Sequence, residues 1–126
     1  MTTEQKRKML EAAAKACGIY NRISWDNSKN QPLLMSCAKP KDIYTPWGNA
    51  APVVWNPLTN LADCAEMCAE LGINSFWFMK KDYIQAYGGK SELLAQAEFK
   101  DHDNSRLKAW MYAATMVAAK IGGYEA

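Results

Sequence analysis

The sequence predicts an α+β fold, a small, mainly antiparallel sheet layered between helices as an α/β/α sandwich with three main helices. Three observations carry this expectation. Apolar residues recur at helical spacing near both ends and in the middle, and each such stretch stops at a glycine. Short period-two runs separated by turn residues lie between them. One of these, "INSFWFMKK", places large apolar groups on both of its faces, which predicts a strand covered from both sides.

Taken in order, Thr2 or Thr3 can cap a first helix whose stripe is Met9, Leu10, Ala13, Ala16 and Cys17, with Gly18 as its stop. The period then changes to two from Ile19 to Asp26, "NSKNQP" reads as a turn, and "LLMSCAK" reads as a second strand, so a hairpin is expected. Residues 39–52, rich in proline and carrying Tyr44 and Trp47, read as an ordered loop.

The stretch "WNPLTNLADCAEMCAELGI" holds a turn, a helix start and a helix stop. Asn56 precedes Pro57 and is pushed out of helical geometry. Asn60 is an N-cap, and Asp63 lies where a carboxylate favours the positive end of a helix. Leu61, Cys64, Ala65, Cys68 and Leu71 form the expected buried stripe, ended by Gly72. After the "INSFWFMKK" strand, a Gly-Gly turn separates two strand-like runs, with a short helix capped by Ser91 as the competing reading of the second. A last helix runs from a cap near Asp103 or Asn104 to Gly122-Gly123, and its alanines allow close approach to the sheet.

At 126 residues the chain is long enough for one domain with its own core, and residues 1–126 are read as that domain. A net charge of +2 argues against nucleic-acid steering. No apolar run approaches the about 20 residues that span a bilayer, so no membrane role is expected. The first residues lack the apolar core and cleavage site of a secretory signal. A cytosolic protein with reduced cysteines is therefore expected.

Candidate chemistry is sparse. Cys64 and Cys68 are four apart on one helical face, but Cys-x3-Cys within a capped helix lacks the knuckle geometry of zinc ribbons, and core packing is the stronger reading. No metal and no cofactor are expected. Asp101-His102-Asp103 surrounds the single histidine, which fits a helix junction better than a triad. The "FWFMKKDY" stretch raises single-stranded nucleic acid, yet its aromatics read as too buried to act as stacking platforms. Tyr44 and Trp47, with Ile43 and Lys41 beside them, are the candidate interaction residues, since exposed Tyr and Trp are favoured interface anchors. The opposite reading, in which they fold back as a lid over the core, stands beside it.

The stretch around Trp55, with the closing "AWMYAATMVAAKIGGY", resembles small proteins of tailed phages and prophages, the NinX-like proteins and the related phage ABA-sandwich domains. The matching positions are Trp55, Asn56, Pro57, Leu58, Asp63, Leu71, Gly72 and Ile73, then Ala118, Ala119, Ile121 and Gly122. Ala14, Ala16, Gly18 and Ile19 fit the start of that pattern; residues 39–52, Cys64 and Cys68 lie outside it. The resemblance implies a layered α/β/α fold and a phage-encoded accessory role, and it brings no catalytic residues. Trp55, Asn56, Pro57, Asn60 and Asp63 are accordingly read as structural.

The functional expectation is a non-enzymatic protein in the cytoplasm of a bacterial host cell that binds a host protein. Inhibition of a defence system, CRISPR or restriction, is one concrete version. The alternative is a small-molecule or nucleotide-binding domain, or an enzyme, with a pocket under the 39–52 loop. Homo-oligomerisation is left open.

Overall fold

The computed structural model describes residues 2–29, 31–34, 53–88 and 93–125. Residues 39–52, with Lys41, Ile43, Tyr44 and Trp47, lie outside the described residues, as does Cys37.

Helix α1 (Thr3–Ala16) opens with a reciprocal cap: Thr2 Oγ1 accepts from the Gln5 amide at 3.1 Å, and Gln5 Oε1 accepts from the Thr2 amide at 2.8 Å. Its end is closed by two backbone bonds, Gly18 N to Lys15 O and Ile19 N to Ala14 O. The second bond commits Ile19 to the helix end, and the Arg22 amide then bonds back to Ile19 O. Tyr20–Arg22 therefore form a 3-10 turn, and strand β1 covers only Ile23–Asp26 rather than starting at Ile19.

Strand β1 pairs antiparallel with β2 (Gln31–Leu34), which pairs antiparallel with β3 (Val53–Val54). The hairpin was expected, but β2 begins earlier, at Gln31, and takes in Pro32 opposite Trp25. Asp26 holds the turn by accepting from the Ser28 amide and hydroxyl at 3.0 and 2.7 Å.

Helix α2 (Leu61–Leu71) is capped by Asn60 and stopped by Gly72, whose φ of 65° lies in the left-handed region open to glycine. Its buried side is Cys64 and Met67, with Cys68 and Leu71 packed against the core. Leu61 and Ala65 are exposed, so the buried stripe is rotated from the expected one. A second sheet follows in the order β4 (Ile73–Phe78), β5 (Tyr83–Gly88), β6 (Leu94–Glu98), all antiparallel. The competing helix at Ser91 loses to the β5–β6 pairing.

Helix α3 (Arg106–Ile121) is capped by Ser105, which accepts from the Lys108 amide at 3.2 Å. Asp103 and Asn104, the expected caps, instead carry left-handed conformations that turn the chain into the helix. Contacts run from β2 through α1 and α3 to β5 and β6, with α2 beside α3. Helix α3 is thus the centre of the core, with Ala109, Ala113, Ala114, Val117, Ala118 and Ala119 fully buried.

The α+β class, the three helices and the antiparallel pairing are as the sequence predicts. The double-sided cover of the "INSFWFMKK" strand is not. Phe76 is 50% exposed and Trp77 43%, and the helices pack on one face of β4–β6. The physical reason is that α3 carries alanines and needs small partners, which β5 and β6 supply.

Candidate functional site

Strands β5 and β6 alternate strictly. Ile84, Ala86 and Gly88 on β5 and Ala95 and Ala97 on β6 are buried under α3. The register puts Ile73, Ser75 and Trp77 of β4 on the same inner face. Asn74, Phe76, Phe78, Tyr83, Gln85, Tyr87, Leu94, Gln96 and Glu98 then share the outer face, because a strand's side chains alternate between sides.

This outer face is aromatic and ordered. Phe76 stacks on Tyr87 with centroids 5.1 Å apart and planes within 10°, and Phe78 stacks on Tyr83 at 4.7 Å. Leu94 is 48% exposed at its rim. Between the aromatic pairs Gln85 Nε2 donates to Gln96 Oε1 at 3.0 Å. Cross-strand pairing holds the rings in fixed positions, so they lose little freedom when covered. A surface of stacked rings with paired amides can bury area and offer hydrogen bonds.

The Trp55 corner is built as a structural device. Asn56 Oδ1 accepts from the Leu58 amide at 3.1 Å, and Asn60 Oδ1 accepts from the Asp63 amide at 3.0 Å. Asp63 Oδ2 in turn accepts from the Asn56 amide at 2.9 Å, tying the helix start back onto the turn. Trp55 and Pro57 are buried. Partial burial raises the Asp63 carboxyl above its ordinary range against the lowering effect of the Asn56 amide.

An open cleft of about 1110 Å³ lies beside this corner, lined among others by Lys6, Asn56, Leu58, Gln96, His102 and Tyr112. The His102 ring sits 4.7 Å from that of Tyr112. Burial lowers the His102 pKa, with Asp101 and Asp103 opposing. The pocket expected under the 39–52 loop lies outside the described residues.

The thiols are held protonated where they are deepest. Burial, with Glu70 and Cys68 adding to it, pushes the Cys17 thiol up to about 11. Hydrogen bonding to Cys68 and burial raise that of Cys64, and the same bond lowers that of Cys68. A metal or an electrophile needs the thiolate, so Cys17 and Cys64 are poor candidates for either. Among the described residues no group of three or more His, Cys, Asp or Glu side chains converges as a metal set.

Sequence reasoning missed the outer face. Its signal was present in the alternate small residues Ala86, Ala95 and Ala97 beside an alanine-rich helix, which reserve the inner face for α3 and send the aromatics outward. Protein-family models, curated proteins and solved structures give no match to this chain.

Proposed function

We propose that this protein is a phage- or prophage-encoded accessory protein that acts without catalysis, by binding a bacterial host protein through the outer face of β4–β6. Inhibition of a host defence system is one concrete form of this role, with the host cytoplasm as the place of action. One observation carries the reading: the outer face of stacked aromatics, Phe76 with Tyr87 and Phe78 with Tyr83, in which Phe76 and the rim residue Leu94 are exposed and the other three rings half-buried. Contiguous exposed apolar surface of this kind marks interaction sites, and rigid aromatic anchors dominate interface energetics. The resemblance around Trp55, Asn56 and Pro57 supports the phage origin. Lys41, Ile43, Tyr44 and Trp47, which lie outside the described residues, are the second set of contact candidates, from the sequence alone.

The test is capture from bacterial lysate, followed by affinity measurement on the purified target with three proteins. These are the wild type, a Tyr83→Ala, Tyr87→Ala double variant and a Tyr44→Ala, Trp47→Ala double variant. Loss of about 2 kcal/mol or more, roughly thirtyfold in affinity, is expected for the β5 variant with its fold retained. Loss confined to the loop variant would move the interface to residues 39–52. Full binding by both would overturn the reading.

The cleft beside Asn56 favours a second reading, a small-molecule or nucleotide site between Lys6, His102 and Tyr112. A nucleotide that raises the melting temperature of the wild type, and does so less for Tyr112→Ala, would select it.

A further inference from the structure

We propose that the protein is a two-fold dimer in which strand β4 of one copy pairs antiparallel with strand β4 of a second copy. Among the described residues β4 pairs only with β5, and no described strand lies along its other edge. Edge strands are ordinarily protected by charge, proline or bulges, and none of Ile73, Asn74, Ser75, Phe76, Trp77 and Phe78 supplies a charge or a proline. The exposure at this edge is also two-sided. Phe76 stands open on the outer face and Trp77 on the inner face. A partner lying on the outer face alone would leave Trp77 in water. A strand added to the edge covers both.

The charges flanking β4 select the occupant. Glu66 and Glu70 are exposed in the last turns of α2, just before the strand begins, and Lys80 and Lys81 are exposed just after it ends. Among the described residues none of the four makes an ion pair. An uncharged strand with acids at one end and bases at the other is complementary to its own reverse. Placing Ser75 on the two-fold axis sets Ile73 opposite Trp77 and Asn74 opposite Phe76, and brings the last turn of α2 in one copy towards the Met79–Lys81 turn of the other. The same symmetry makes every contact occur twice, as an isologous interface requires. It also joins the two outer faces into one six-stranded aromatic surface. This inference stands apart from the identity of any host partner.

Sedimentation velocity on the purified full chain tests it across a dilution series. The expected result is a species of twice the 14.1 kDa chain mass that dissociates on dilution. Trp77→Lys places a charge on the edge and is expected to give monomer. Lys80→Glu with Lys81→Glu, and separately Glu66→Lys with Glu70→Lys, each raise the dissociation constant roughly tenfold or more through like-charge contact. All four together restore it to within about threefold of the wild type. Circular dichroism checks the fold of each variant; the charge variants alter only exposed side chains outside the strand. A monomeric wild type at millimolar concentration overturns the proposal. So does a dimer indifferent to the charge pairs, or a quadruple variant no better than either double.

Discussion

The two faces of the β4–β6 sheet invert the usual distribution of side-chain size. Its inner face, the one folding depends on, is built largely from Ile84, Ala86, Gly88, Ala95 and Ala97. Its outer face carries Phe76, Phe78, Tyr83, Tyr87 and Leu94. The inner face stabilises by proximity: small residues let the alanine-rich α3 approach until dispersion contacts are dense. The outer face keeps large apolar area in contact with water, which folding alone would not select. The difference separates the residues that hold the protein together from those available for another molecule.

The same small-residue packing continues on the far side of α3, where it meets α1. A Cβ added at Gly122 would lie 1.8 Å from the Ala12 carbonyl oxygen, a backbone atom with nowhere to retreat. Gly122→Ala should therefore force the end of α3 away from α1 and cost about 3 kcal/mol or more. Ala86→Leu, at a fully buried position facing α3, should cost about 1–3 kcal/mol by overpacking. Urea unfolding reads both, and a neutral Gly122→Ala would show that α1 and α3 are not in close backbone contact. A smaller effect is expected where the core is not touched. Asn60→Ala removes the Asp63 amide's acceptor and should cost about 1 kcal/mol by the same measurement. A loss above about 3 kcal/mol would mean that the Asn60–Asp63–Asn56 network carries the whole corner.

Much of the fold is legible in the sequence, for local reasons. Gly18 and Gly72 mark helix ends because their backbones take φ values of 75° and 65°, and Asn60 is readable as a cap because its side chain acts within three residues. The α3 cap was missed by one or two positions, because Asp103 and Asn104 are as fit for the left-handed turn as for capping. Covering of a strand is less local. Alternation says that Phe76 and Trp77 point to opposite sides, but which side is covered depends on what α3 can accommodate. Aromatic bulk suggests burial, whereas the alanines decide. The rotated stripe of α2, with Leu61 outside and Met67 inside, has the same origin, since a helix can turn about its axis to suit its neighbours.

Ile84 and Leu94 give the most direct measurement of this account, because their side chains are isomers on opposite faces of adjacent strands. Ile84 is fully buried against α3, and Leu94 is exposed on the outer face. Truncating each to alanine removes the same number of carbon atoms. Urea unfolding of the two variants should show a loss of about 2–5 kcal/mol for Ile84→Ala and below about 1 kcal/mol for Leu94→Ala. Equal losses would contradict the account, since they would mean that the outer face is part of the folding core and not a surface held open for a partner.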